Sequence, residues 1–107
     1  MAPDVLTRIH IPRKSLRAFC ARWRIAEFSL FGSVLRDDFS VESDVDVLVT
    51  FEDDVSWSVF DHFQMERELS ALLGHRAEIV SRRALEEGGN WIIRRSILES
   101  AQRLDVA

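Results

Sequence analysis

The sequence predicts an α/β fold (α+β) in which a small mixed β-sheet of about three to four strands packs against helices. Two observations carry this prediction. Apolar residues recur at helical spacing in two long segments, and between them lies a segment in which apolar and acidic residues alternate, as in a half-buried strand. With 107 residues, 47% of them hydrophobic, the chain has the composition of a single globular domain spanning 1–107.

The first predicted helix begins near Pro12, because a proline at the first helical position loses no hydrogen bond. The apolar residues that follow at the spacing i, i+3, i+4 and i+7 are Leu16, Phe19, Cys20 and Trp23. We therefore expect one face of this helix to pack on the core. Residues 1–10 have no clear period and are expected to form a loose arm.

Two strands are predicted next. The apolar run 28–31 ends at Gly32, whose backbone tolerates unusual angles. We expect a brief helical turn over 33–36 and a polar loop over 37–43. The clearest strand spans 44–52, where valines alternate with acidic and polar residues.

The second half of the chain predicts a long helix, a third strand and two further helices. The long helix spans 58–73 and ends at Gly74, a residue suited to a helix C-terminus. A strand over 76–80, a short helix over 82–87 and a final helix over 91–104 follow. Without the short helix over 82–87, the predicted order is helix, strand, strand, helix, strand, helix.

Two acids lie at the start of the second strand. Because alternate strand side chains share a face, Asp44 and Asp46 point together while Val45 and Val47 face the core. Magnesium prefers hard oxygen ligands and combines one or two carboxylates with substrate phosphates. A calcium loop over 37–46 is excluded, because the required glycine is absent and hydrophobic residues follow at once. The pair is a candidate metal site with room for a nucleoside triphosphate.

A glycine-serine turn precedes these acids. Gly32 lets the backbone approach a phosphate, and the Ser33 hydroxyl and the following N–H groups can donate to it. Arg36 can reach the same phosphates with its guanidinium group. Alone, the Gly-Ser pair also fits an ordinary turn, and the two acids alone fit a solvated strand end. Their combination favours a nucleotide site.

These residues resemble the minimal nucleotidyltransferases of the DNA polymerase beta superfamily, which are often antitoxin partners of HEPN-domain toxins. The resemblance covers about 11–104 and implies a polymerase-beta-like nucleotidyltransferase fold. It also implies that Asp44 and Asp46 are catalytic metal ligands. The family pattern of Gly-Ser, a following arginine and Ser-Asp-x-Asp reads here as Gly32, Ser33, Arg36, Ser43, Asp44 and Asp46, and the first four of these are expected to bind the nucleotide.

The family has a third acid in a later strand, usually an aspartate, and this chain has Glu78 there. We assign Glu78 as a further catalytic residue and metal ligand that helps activate the attacking hydroxyl. Its extra methylene moves the carboxylate oxygens by about 1 Å or more, which matters in a site that depends on placement. A second departure is Asp37, where many relatives have glycine.

The resemblance implies a metal-dependent transfer of AMP from ATP, with two magnesium ions, to a protein hydroxyl. The implied acceptor is a tyrosine of a cognate HEPN toxin, which would make the chain an antitoxin. The alternative is a non-catalytic antitoxin or nucleotide-binding module that neutralises its partner by complex formation. Asp37 and Glu78 favour this alternative.

Composition restricts other functions. The net charge of −4 gives no basic excess for coating nucleic acid, so we do not expect nucleic acid as a partner. No apolar run approaches the roughly 20 residues of a membrane span, and the lone Cys20 fits a reducing compartment, so we expect a cytoplasmic protein. A homo-oligomer or hetero-oligomer is expected to complete the cleft through exposed apolar residues of the final helix.

Overall fold

Within the described residues, four strands form a mixed sheet at the centre of the fold. This computed structural model describes residues 11–32, 43–53, 55–88 and 91–104, and only the backbone of Trp91, Ile93 and Arg94. The strands are β1 (Ile25–Phe31), β2 (Val45–Phe51), β3 (Ala77–Ser81) and β4 (Gln102–Leu104). Their spatial order is β3-β2-β1-β4, with β1 antiparallel to both β2 and β4 and with β2 parallel to β3.

The helices flank this sheet. They are α1 (Arg13–Arg22), α2 (Val59–Leu73), α3 (Arg82–Glu87) and α4 (Trp91–Ser100). Helix α2 is the crossover between the parallel strands β2 and β3. It begins with a reciprocal capping box between Ser58 and Asp61 and ends at Gly74, which has φ 72°. Both ends of α2 are therefore fixed by local hydrogen bonds.

The core lies between one face of the sheet and the helices α1 and α2. Trp23 packs edge-to-face on Trp57, with ring centroids 5.1 Å apart, and closes one side of the core. Burial raises the pKa of the Cys20 thiol to about 12, so this cysteine is an inert packing residue. Fully buried residues from both layers are Leu16, Phe28, Leu30, Val45, Val47, Val49, Met65 and Leu69.

The predicted mixed sheet with packed helices is confirmed, but the final helix over 91–104 is wrong in its extent. The helix ends at Ser100, and Gln102–Leu104 form β4 instead. Leu104 pairs with Phe28 and is buried. Strand pairing satisfies the backbone groups at the open edge of β1, which a longer helix would leave exposed. The predicted arm 1–10 and the helical turn 33–36 lie outside the described residues.

Among the side chains that the structure describes, large exposed apolar residues lie on α2 and on the final helix. Phe60 is 84% exposed and Phe63 is 60% exposed, both on the outer side of α2. On the final helix, Ile92 is exposed, in line with the expectation for that helix. Which of these surfaces contacts a partner stays a prediction. Among the described residues, no helix has the length and apolar character needed to cross a membrane.

Candidate active site

Three segments that are distant in the sequence meet beside Asp46. The parallel register of β2 and β3 places Asp46 opposite Glu78. The antiparallel register of β1 and β2 places Phe31 opposite Asp46, so that Gly32 follows directly at the same end of the sheet. Neighbouring strands lie about 4.8 Å apart, which puts these residues within reach of one ligand. The structure thus brings together the glycine of the predicted turn and two of the three predicted acids.

Gly32 is in direct contact with the Asp46 carboxylate. Its φ of 74° lies in the left-handed region, which side chains other than hydrogen rarely allow. A Cβ atom at this position would also overlap Oδ2 of Asp46 and lie 3.2 Å from its Cγ. The backbone conformation therefore favours glycine, and a larger residue would also displace the Asp46 carboxylate. The close approach brings Gly32 next to the acidic strand.

The entry to β2 is held by contacts with the residues that precede β3. The Val45 N–H donates to the Arg76 carbonyl oxygen over 2.8 Å. Nδ1 of His75 lies 3.3 Å from the carbonyl oxygen of Ser43, which is half-buried. These contacts fix the backbone on both sides of Asp44, which is half-buried directly before the strand.

The two aspartates lie close enough to Glu78 to act on its carboxylate electrostatically. Glu78 is exposed as a residue, but partial desolvation of its carboxylate raises its pKa, and the negative charges of Asp46 and Asp44 raise the pKa further. The Arg76 cation opposes this shift, while Glu66 adds to it. A cluster of repelling carboxylates is a favourable environment for a divalent cation, which would relieve the repulsion.

The donor set fits magnesium. All three predicted ligands, Asp44, Asp46 and Glu78, offer hard carboxylate oxygens. Within the ranges that the structure describes, no three acidic, histidine or cysteine side chains converge closely enough to enclose an ion by themselves. This openness is compatible with Mg²⁺, because Mg²⁺ usually keeps waters and completes its shell with substrate phosphates.

Two predicted nucleotide-binding residues, Ser33 and Arg36, lie outside the described residues, so their roles stay predictions. Sequence reasoning missed the influence of Arg76. The signal for it was present, because Arg76 precedes Glu78 by two residues and alternate positions of a strand share a face. The positive charge of Arg76 offsets part of the rise in the pKa of Glu78.

The nucleotidyltransferase domain profile matches residues 12–104, almost the whole chain. The chain belongs to the nucleotidyltransferase domain family. It is 38% identical over 76 residues to the protein adenylyltransferase MntA of Thermococcus cleftensis, a match that covers 71% of this chain and 72% of the relative. The family prediction made from the residues around Gly32 and Asp46 is thereby confirmed.

Two solved structures share the fold of this chain. A minimal nucleotidyltransferase with 35% identity superposes with a TM-score of 0.65, covering 86% of this chain and 88% of that one. A chain of a toxin-antitoxin complex with AMP-PNP superposes with a TM-score of 0.66, covering 87% of this chain and 72% of that one. Its identity is 13%, so that likeness concerns the fold alone.

Proposed function

We propose that this nucleotidyltransferase-domain protein transfers AMP from ATP to a hydroxyl group of a partner protein. The observation that carries the proposal is the junction at Asp46, whose carboxylate lies against Gly32 and whose strand position pairs with Glu78. This junction combines a backbone suited to phosphates with a cluster of carboxylates. The name of the Thermococcus cleftensis relative, a protein adenylyltransferase, supports AMP as the transferred group and a protein as the acceptor.

In the proposed reaction, the acceptor hydroxyl oxygen forms a bond to the α-phosphorus of ATP, and pyrophosphate leaves as the bond from that phosphorus to the bridging oxygen breaks. Asp44, Asp46 and Glu78 would hold magnesium, and we propose two ions. When bound, these ions supply charge neutralisation for the phosphates and polarise the attacking and leaving oxygens.

The chain's own residues remove the proton of the acceptor hydroxyl and bind the nucleotide. Glu78 is exposed, so it can be reached by the acceptor and take part in removing the hydroxyl proton. Gly32 gives the triphosphate access to the backbone. We propose that Ser33, Arg36 and Ser43 complete the nucleotide site by donating hydrogen bonds to it.

We propose a tyrosine of a cognate HEPN-type toxin as the acceptor, so that the chain acts as an antitoxin in the cytoplasm, where ATP is available. The toxin-antitoxin complex with AMP-PNP that shares this fold supports both the kind of partner and the choice of nucleotide. We also propose that 1–107 acts as one domain, with the toxin completing the cleft as a hetero-oligomer.

The test is an assay with ATP labelled at the α-phosphate, magnesium and the protein encoded by the neighbouring gene. We expect the acceptor to be labelled by the wild type, and labelling to fall on the order of 100-fold or more with Asp46→Asn. Asp53→Asn is the matched control, because Asp53 is an exposed aspartate just beyond the other end of β2. Equal labelling by the wild type and Asp46→Asn would contradict the assignment.

One observation favours a second function. The third acid is a glutamate, and its side chain is exposed rather than enclosed by the fold. A non-catalytic antitoxin would neutralise its toxin by binding alone. In that case, Asp44→Asn and Asp46→Asn would protect cells from the toxin as well as the wild type does. Loss of protection with both variants, at equal protein levels, would support the transfer reaction.

A further inference from the structure

We propose that Glu66 of α2 is a positioning residue that holds Glu78 in place for metal binding. The proposal rests on the proposed function, in which Glu78 is a metal ligand. Its basis is a pair of hydrogen bonds that join α2 to β3 on both sides of Glu78. The Ile79 N–H donates to Oε2 of Glu66 over 2.8 Å, and the Ala77 N–H donates to Oγ of Ser70 over 2.9 Å.

These two N–H groups lie on the outer side of β3. Strand β3 is at the edge of the sheet, with β2 as its neighbour on the inner side. Backbone groups of a parallel strand point alternately to its two sides, so the N–H groups of Ala77 and Ile79 point away from β2. Both residues are buried, and without a partner from α2 these donors would be unsatisfied. The side chains of Glu66 and Ser70 therefore accept the hydrogen bonds that a neighbouring strand would otherwise accept at this edge.

Helix α2 gives this contact a rigid base. Met65 and Leu69 are fully buried in the core, and they are the neighbours in sequence of Glu66 and Ser70. The Ser70 hydroxyl also donates to the carbonyl oxygen of Glu66 over 2.6 Å, which leaves an oxygen lone pair for Ala77. Because the core fixes α2, the hydrogen bonds from α2 fix the backbone on both sides of Glu78.

The placement of Glu78 is sensitive to this contact because β3 has a neighbouring strand on one side only. On that side, the parallel register sets Glu78 opposite Asp46. On the other side, the hydrogen bond from Ile79 to Glu66 fixes the position of β3 relative to α2. The negative charge of Glu66 also contributes to the raised pKa of Glu78. Nε2 of His62 lies 3.4 Å from the same Glu66 oxygen.

The test compares Glu66→Ala, which removes the acceptor, with Glu66→Gln, which keeps an oxygen for the Ile79 N–H. Arg67→Ala is the matched control, because Arg67 is the next residue of the same helix and is exposed. Binding of Mn²⁺ in the presence of AMP-PNP is measured by the electron paramagnetic resonance signal of free Mn²⁺. We expect Glu66→Ala to raise the Mn²⁺ dissociation constant about 10-fold. Glu66→Gln should stay within about 3-fold of the wild type, since the loss of a charge alone is a smaller change.

Mn²⁺ binding by Glu66→Ala equal to the wild type would overturn the proposal, and so would equal weakening by Glu66→Gln and Glu66→Ala. Failure of the wild type to bind Mn²⁺ would overturn it as well. If Glu66→Ala does not fold, as judged by circular dichroism, Ser70→Ala replaces it, with weaker Mn²⁺ binding again expected.

The metal readout needs no acceptor protein, so it separates this proposal from the transfer reaction. Absence of labelling by the wild type, together with the expected Mn²⁺ pattern, would reject the transfer and support the positioning role. Labelling that depends on Asp46, together with Mn²⁺ binding insensitive to Glu66→Ala, would reject the positioning role alone.

Discussion

Gly32 meets two requirements at one residue, a left-handed backbone and contact with a carboxylate. Gly74 has a similar φ of 72° but no heavy atom within 4 Å of an added Cβ. Gly74→Ala should therefore cost only the backbone strain, about 1–2 kcal/mol. Gly32→Ala should cost more than Gly74→Ala in urea unfolding, because the Asp46 carboxylate must also move.

The same comparison separates stability from function. Gly74→Ala should leave Mn²⁺ binding unchanged, whereas Gly32→Ala should weaken it by displacing Asp46. A double-mutant cycle between Gly32→Ala and Asp46→Ala gives the coupling between the two positions. A coupling of zero would mean that the overlap with the Asp46 side chain does not contribute to the cost.

We expect the Glu78 carboxylate to destabilise the metal-free fold at neutral pH. Its pKa is raised above the ordinary value of 4.5, so the folded state binds the proton more tightly than the unfolded state. The stability associated with this residue is therefore greatest below pH 4.5 and is lost as the pH rises through the raised pKa. Glu78→Gln should stabilise the metal-free protein at pH 7 relative to the wild type.

Urea unfolding at two pH values checks this prediction. The advantage of Glu78→Gln over the wild type should be larger at pH 7 than at pH 4, with metal removed by a chelator. Glu87→Gln, a change of the same chemistry on the exposed side of α3, should show no comparable increase. An advantage that is the same at both pH values would argue against the electrostatic origin.

At the scale of elements, β4 contributes to stability through one buried side chain. Leu104 is buried where β4 pairs with β1, whereas Arg103 points outward and forms an exposed ion pair with Glu27 over 3.2 Å. Leu104→Ala should reduce the free energy of unfolding by about 2 kcal/mol or more. Arg103→Ala should cost less than about 1 kcal/mol. Chemical unfolding of both variants measures the difference, and equal costs would mean that β4 does not close the core.

Local patterns in the sequence were sufficient for most elements. The alternation in β2 and the end of α2 at Gly74 depend on residues close in sequence, and both were predicted correctly. Strand β4 could not be predicted in this way, because Gln102–Leu104 continue a helical pattern and their pairing with β1 is a contact distant in sequence.

The sequence suggests the residue types of the candidate site but not its contacts. Asp44 and Asp46 were proposed from their spacing in a strand and Glu78 from the third acid of the family, and the register sets Asp46 opposite Glu78. The contact of Gly32 with Asp46 depends on how β1 pairs with β2, which no spacing in the sequence specifies. Glu66 was missed for a different reason, because a glutamate on a helix ordinarily indicates a solvated face.

For the whole molecule, the acidic site should make stability depend on its ligands. A ligand that binds only the folded state stabilises it by about 2.7 kcal/mol at a concentration 100 times its dissociation constant. We expect AMP-PNP with Mg²⁺ to raise the thermal midpoint of the wild type, and chelation of the metal to reverse most of the gain. The gain should be largely absent in Asp46→Asn and retained in Asp53→Asn. A gain of equal size in Asp46→Asn would place the ligand elsewhere.

The hydrogen bonds from β3 to Glu66 and Ser70 also affect how the protein behaves at high concentration. An open strand edge is a template for aggregation, because a second chain can add its own strand there. Here two outward N–H groups of β3 are already bonded to α2. At the opposite edge, the described part of β4 comprises three residues, Gln102–Leu104. The contacts that hold Glu78 in place therefore also protect the β3 edge of the sheet against the addition of a strand from a second chain.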